Sequence, residues 1–173
     1  MANTYISIGS TTVGSGGASS NFFSSIPSTY TDLILFLSLR NDSAGAVART
    51  VNVTFNGSTS GYSYRMIEHT GTNIYTGSGT SQSSLPLAVS IGPAATSNVF
   101  SNTFIYIPNY AGSKNKAVSS DDTMENNSTS IYSHVVRGMW SNTNAITSIN
   151  LVNDNASNFT QYSSAYLYGI KNS

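Results

Sequence analysis

The stretch that decides the fold is Asp32-Leu33-Ile34-Leu35-Phe36-Leu37-Ser38-Leu39-Arg40. Successive side chains of an extended strand point to opposite faces, so the four leucines share one face and Ile34, Phe36 and Ser38 share the other. Both faces of this segment are largely apolar. The pattern therefore predicts a central strand that is covered on its two sides.

Eight further runs show apolar alternation with a period of two, which is typical of strands. They are residues 4–8, 51–55, 62–68, 85–91, 99–107, 130–140, 145–152 and 163–170. Asn56-Gly57, directly after Phe55, is the residue pair that a tight hairpin turn prefers. The polar segments between the runs are predicted to be loops, because short polar side chains favour turns; these segments are residues 14–21, 76–84, 111–116 and 121–129.

The sequence predicts one domain, residues 1–173, with an all-β fold. No segment shows a convincing helical period, and strong helix formers are scarce, so almost no helix is expected. About nine short strands separated by turn signals indicate an antiparallel β-sandwich of two sheets, jelly-roll-like in its connections.

Charged residues make up 8% of the chain, against roughly 25% in an average soluble domain. The 32 Ser, 19 Thr and 19 Asn supply most of the polarity, and the formal net charge is +0. Without a basic excess, nucleic acid is excluded as an expected partner. No membrane partner is expected either, because no apolar segment is long enough to span a bilayer and no signal peptide is recognisable. Strand edges with so few charges favour self-association, so a homo-oligomer is predicted.

The sequence gives little support for a catalytic function. The chain has no cysteine and only two histidines, His69 at the end of a predicted strand and His134 inside another. Neither lies in a recognisable catalytic motif, and serine is so abundant that a chance His–Ser match means little. We therefore predict that the protein is not an enzyme and holds no cofactor.

Asp121, Asp122 and Glu125 form the only cluster of carboxylates. Hard cations bind several oxygen ligands, and Ser119, Ser120, Asn126 and Asn127 would be available to add some. The spacing does not match an EF-hand loop. A solvated turn is the favoured interpretation and no metal site is predicted, although the sequence leaves cation binding at this cluster open.

Aromatic residues offer candidates for contact with a partner, because tyrosine combines a large contact area with low side-chain entropy. The chain has 11 Tyr, 7 Phe and 1 Trp. Tyr106 and Tyr110 flank a Pro-Asn turn, and Trp140 ends a strand at a polar loop. These three residues are the predicted interface candidates, although core packing is the favoured interpretation for Trp140.

Several segments taken together resemble a family of small virion structural proteins of tailed bacteriophages, many from aquatic and cyanobacterial phages. They are Met1-Ala2-Asn3-Thr4-Tyr5, residues 26–33, Phe55-Asn56-Gly57, Tyr62-Ser63-Tyr64-Arg65-Met66, residues 105–110, Met124-Glu125-Asn126-Asn127, residues 138–143, residues 145–149 and residues 165–170. The resemblance implies a non-enzymatic protein of the exterior of the virion, made in the host cytoplasm. No catalytic motif accompanies the family.

The resemblance leaves the place on the particle open. The leading interpretation is a capsid decoration, or cement, protein that binds the major capsid protein or another structural protein of the virion as an oligomer. The alternative is a receptor-binding module on a tail fibre or baseplate, with a host surface glycan as its partner. A glycan-cleaving enzyme ranks third, because no acid/base constellation is visible.

Overall fold

A computed structural model describes residues 4–125 and 131–171. These residues form twelve β-strands and no helix, so the prediction of an all-β fold is confirmed, and none of them forms a helix that would cross a membrane. The strands are β1 (Tyr5–Thr12), β2 (Asn21–Phe23), β3 (Asp32–Ser38), β4 (Ala48–Phe55), β5 (Tyr62–Thr70), β6 (Asn73–Gln82), β7 (Leu85–Ile91), β8 (Asn102–Ile107), β9 (Lys116–Met124), β10 (Tyr132–Trp140), β11 (Ile149–Asn153) and β12 (Ser164–Ile170).

The strands build two antiparallel sheets, as predicted. The larger sheet has eight strands in the order β1-β12-β3-β8-β9-β10-β5-β6, and the smaller has four in the order β2-β11-β4-β7. One cluster of buried side chains lies between them, formed by residues of both sheets. The architecture is that of a β-sandwich with one large and one small layer.

Strand β3 lies near the middle of the larger sheet, between β12 and β8, as its sequence predicts. Leu33, Leu35 and Leu37 are buried against the smaller sheet. The opposite face is only partly covered, because Phe36 keeps 42% of its surface exposed. The apolar outer face of this strand therefore belongs to the surface of the molecule.

Three strands were not predicted, which is why the structure has twelve rather than about nine. Strand β6 falls largely in the predicted loop 76–84, and β2 and β9 lie partly in the predicted loops 14–21, 111–116 and 121–129. Small polar residues dominate β6, which is held by its backbone ladder to β5 and not by a buried apolar face. Residues 126–129 of the last predicted loop, and residue 130 of the predicted strand that follows, lie outside the described residues.

The turn at Asn56-Gly57 has the predicted backbone but not the predicted partners. Asn56 and Gly57 have φ values of 53° and 67°, and the amide of Ser58 donates to the carbonyl of Phe55 at 2.9 Å. However, β4 pairs with β7 and β11 whereas β5 pairs with β6 and β10. The prediction of a hairpin was wrong, because this turn carries the chain from one sheet to the other.

The side chain of Asn56 fastens this turn to the segment before β11. Its Oδ1 accepts hydrogen bonds from the backbone amides of Thr147 at 2.8 Å and Ser148 at 3.1 Å. Its Nδ2 donates to the carbonyl of Ala145 at 2.8 Å. One amide side chain thus satisfies three backbone groups that are about 90 residues away along the chain.

Candidate functional site

Of the three predicted interface residues, Tyr106 alone lies at the surface. It is half-buried on the outer face of β8, and its hydroxyl donates to Oδ2 of Asp32 at 2.8 Å. The hydrogen bond to this carboxylate, followed by burial, raises the pKa of Tyr106 above 10.0. The other oxygen of Asp32 accepts from the backbone amide of Asn109 at 2.8 Å, which ties the Pro-Asn turn to β3.

Tyr110 and Trp140 belong to the core, which corrects their prediction as interface candidates and agrees with the favoured interpretation of Trp140 as a core residue. Tyr110 has no exposed surface, and its hydroxyl donates to the carbonyl of Pro27. Trp140 is 1% exposed and stacks on Tyr62, with 6.1 Å between the ring centroids. Each residue lies next to a polar loop, but its ring points inward, where burial of apolar surface stabilises the fold.

The outer face of the larger sheet carries a group of aromatic rings that we call the aromatic face. It consists of Phe36 on β3, Phe104 and Tyr106 on β8, and Tyr166 and Tyr168 on β12. Phe36 pairs across the ladder with both Phe104 and Tyr166, so the rings form one continuous patch. The centroids of Phe36 and Phe104 lie 5.5 Å apart, and those of Phe36 and Tyr168 lie 6.0 Å apart.

Two carboxylates accompany the aromatic face, those of Asp32 on β3 and of the exposed Asp121 on β9, which is the ladder neighbour of Phe104. Phe104 and Tyr166 expose 39% and 41% of their surface, and Asp32 is the only charged residue in β3, β8 and β12. That carboxylate is already engaged by Tyr106 and Asn109. Contiguous apolar patches of this kind mark interaction surfaces in soluble proteins. The alternation of Ile34/Phe36, Phe104/Tyr106 and Tyr166/Tyr168 was the sequence signal that would have identified it.

On the opposite face of the same sheet, His134 and Asp122 form a buried pair across β10 and β9. Nδ1 of His134 lies 3.2 Å from Oδ2 of Asp122, and the two side chains are 5% and 1% exposed. Burial raises the pKa of Asp122 above 3.8, and the contact with His134 opposes that rise. The prediction that Asp121 and Asp122 lie in a solvated turn was wrong, since both belong to β9, and His134 does have a carboxylate partner.

His134 and Asp122 contribute to the lining of a cavity of about 290 Å³, which we call the inter-sheet cleft. Strand β4 of the smaller sheet contributes Arg49, β5 of the larger sheet contributes Glu68, and Asp154 lies at the end of β11. His69 is on β5 next to Glu68, opposite Ser133 in the ladder, so alternation directs it to the other face from His134. His69 nevertheless contributes to the lining of the inter-sheet cleft together with His134.

The carboxylate cluster does not converge on one point. Asp121 is exposed and Asp122 is buried, and as neighbours in β9 they point to opposite faces of the sheet. Within the described ranges no three His, Cys, Asp or Glu side chains are grouped as a metal site requires. Asn126 and Asn127, the amides considered as further ligands, lie outside the described residues, as do Met1, Ala2 and Asn3.

No known protein family, curated protein or solved structure matches the chain. The resemblance of its segments to virion proteins of tailed phages therefore stays a prediction. The aromatic face and the inter-sheet cleft are the two surfaces from which a function can be inferred.

Proposed function

We propose that the protein is a non-enzymatic structural protein of a tailed-phage virion, and that it decorates the assembled capsid shell by docking through the aromatic face. The observation that carries this proposal is the exposure of Phe36, Phe104 and Tyr166 in one continuous patch. Exposed rings contribute little to the stability of the isolated domain, so a partner is the natural place for their burial. The major capsid protein, which is repeated across the shell, is the partner that this proposal assigns.

The edges of the larger sheet support the proposal that the protein acts as a homo-oligomer. Strand β6 forms one edge, and its ten residues include neither a charged residue nor proline and are mostly exposed. Strand β1, at the other edge, also lacks charges. Such edges leave backbone amides and carbonyls free to pair with a second copy, and proteins that remain monomeric usually block them with charges or proline.

The non-enzymatic part of the proposal rests on what accompanies His134. A histidine paired with a carboxylate activates a nucleophile only when a hydroxyl or thiol reaches its second nitrogen. Among the described residues no serine or threonine hydroxyl is hydrogen-bonded to His134, and the chain contains no cysteine. The pair is therefore assigned to binding and to structure.

The second candidate function is a receptor-binding module on a tail fibre or baseplate. The same exposed rings favour it, because aromatic side chains also stack on the apolar faces of sugar rings. The two candidates differ in stoichiometry. A shell protein is present in numbers comparable to those of the capsid subunit, whereas a tail-tip protein is present in a handful of copies.

The decisive experiment starts with gel densitometry of purified particles against the major capsid protein. A copy number close to that of the shell subunit is expected, and a handful of copies would favour the tail. Purified protein is then sedimented with empty heads. Phe36→Ser should abolish co-sedimentation, whereas Tyr162→Ser, which removes an exposed ring outside the aromatic face, should not. Equal binding by both variants would contradict docking through the aromatic face.

A further inference from the structure

The inter-sheet cleft contains polar groups that the folded chain leaves without partners. Arg49 donates through Nε to the hydroxyl of Ser43 at 3.0 Å, and its two terminal nitrogens hold no hydrogen bond or ion pair within the described part of the chain. In the same part of the chain, the carboxylates of Glu68 and Asp154 are equally unpaired. Arg49 and Glu68 are partly buried and Asp154 is exposed, so water solvates these charges and all three are available to a ligand in the cavity.

We propose that the inter-sheet cleft binds a neutral saccharide, with one pyranose ring in the cavity. Each hydroxyl of a sugar both donates and accepts hydrogen bonds, so one ring can accept from Arg49 while it donates to Glu68 and Asp154. Hydrogen bonds to charged side chains are the strong kind. A cavity of about 290 Å³ lies at the small end of the roughly 300–1,000 Å³ typical of ligand sites, which suits a single ring.

The buried His134–Asp122 pair supplies a further acceptor. In the neutral tautomer that donates from Nδ1 to Oδ2 of Asp122, the other ring nitrogen, Nε2, has a lone pair. His134 lines the cavity, so a sugar hydroxyl is a suitable donor to Nε2. Asp122 also lines the cavity, and its Oδ1 is buried without a partner among the described residues. This unmatched oxygen is an observation independent of the surface carboxylates.

Other ligand classes fit less well. An anion would meet the three carboxylates of Glu68, Asp122 and Asp154 against one guanidinium. A divalent cation needs a compact set of oxygen ligands, and the described residues contain no group of three candidate ligands. Val89 and Met124 line the cavity as well, and they offer apolar surface to the C–H faces of a sugar ring.

This inference goes beyond the decoration role and does not rest on it. His134, in the cleft, and Phe104, on the aromatic face, lie on opposite faces of the larger sheet, because Thr103 rather than Phe104 is the ladder neighbour of Asp122. A variant that abolishes co-sedimentation with heads therefore leaves the cleft intact. Failure of either proposal can be recognised without the other.

The test is a nuclear magnetic resonance titration of the full chain with D-glucose, D-galactose, D-mannose and N-acetyl-D-glucosamine in turn. At least one of them should shift the His134 imidazole and the amide resonances of β4 and β5, with a dissociation constant in the millimolar range. Glu68→Gln should weaken that binding by about tenfold or more, since one charge-assisted hydrogen bond is lost. Asp121→Asn is the matched control, because it removes a carboxylate from the opposite face and should bind as the parent does.

Asp154→Asn provides a second variant should Glu68→Gln fold poorly, because Asp154 is exposed. The proposal is wrong if none of the four sugars shifts these resonances, or if the shifts appear only at the aromatic face. It is also wrong if methylammonium or inorganic phosphate shifts them while every sugar leaves them in place.

Discussion

The two faces of the larger sheet both carry aromatic rings, yet the rings do different things. On the inner side, Trp140 packs against Tyr62 and against Phe55 of the smaller sheet, and all three are buried. On the outer side, Phe36 packs against Phe104 with more than a third of each ring open to solvent. Residue type is the same in both groups, so what separates them is the presence of the smaller sheet on one side.

The comparison shows whether the apolar surface of a ring is buried during folding or remains available for association. A buried aromatic residue removes its whole apolar surface from water during folding and so stabilises the domain. A ring that stays half exposed after folding still has apolar surface that a partner can remove from water. The inner rings should therefore govern unfolding, and the outer rings should govern association.

The largest expected effect comes from Tyr110→Ala. This change empties a fully buried site and removes the hydrogen bond to Pro27, so the free energy of unfolding should fall by about 3–5 kcal/mol. Tyr166→Ala, which truncates an outer ring, is the control and should cost about 1 kcal/mol or less. Denaturant unfolding of both variants checks this. Equal losses would mean that the two groups of rings do not differ as their burial indicates.

The next effect concerns the contact between the two outer phenylalanines. Phe36→Ala, Phe104→Ala and the double variant form a double-mutant cycle, and a tilted pair at 5.5 Å should show a coupling of about 0.5–1.5 kcal/mol in the free energy of unfolding. A coupling indistinguishable from zero would show that these rings contribute nothing to each other in the isolated domain. A value as large as the loss expected for Tyr110→Ala would place the pair in the folding core.

A smaller effect is expected from Asp122, the one carboxylate of β9 on the inner face. Burial is the main cause that raises its pKa above 3.8, so above that pH the folded protein holds this proton more tightly than the unfolded chain does. The free energy of unfolding should therefore decrease as the pH rises through the range between 3.8 and the folded pKa.

Denaturant titrations at a series of pH values measure this slope. Asp122→Asn should remove it, because the amide does not titrate. Asp121→Asn, which changes an exposed residue of the same strand, should retain it. A parent slope of the opposite sign that disappears in Asp122→Asn would show that the pairing with His134 outweighs burial.

The smallest effect is the response of association to salt. The aromatic face has only two carboxylates at its three strands and their neighbour β9, Asp32 and Asp121, so co-sedimentation with heads should be nearly equal at about 0.1 M and about 1 M salt, where the screening length falls from ~10 Å to ~3 Å. Ring burial does not depend on such screening. Loss of binding at the higher salt would show that charged residues elsewhere make the contact.

Strands β3 and β6 show how much of the fold could be predicted from the sequence. Strand β3 was predicted within two residues of its end because its leucines are buried and alternate. Strand β6 was predicted as a loop, since its Gly, Ser and Thr residues show no apolar alternation. Backbone hydrogen bonds to β5 hold this strand in place, and such bonds do not produce a recognisable pattern of side chains in the sequence. Propensity arguments therefore fail where an edge strand is held by its neighbour alone.

The candidate site could be predicted only in part from the sequence. The alternation in β3, β8 and β12 contained the aromatic face, but adjacency of those strands follows from topology and not from any one segment. Tyr110 was misplaced because a polar turn says nothing about which way the next ring points. The contact of His134 with Asp122 depends on the register between β10 and β9, and register was not available from the sequence.

The turn at Asn56 also sets how the protein ages. In an Asn-Gly pair the backbone nitrogen of glycine attacks the side-chain amide carbon with little hindrance and displaces ammonia. Water then opens the resulting succinimide to aspartate or isoaspartate, so asparagine is among the thermolabile residues. Here hydrogen bonds with the backbone of Thr147, Ser148 and Ala145 restrict rotation of the Asn56 side-chain amide. The folded chain should therefore deamidate at this position more slowly than the unfolded chain, so the turn that joins the two sheets stays chemically unaltered for longer.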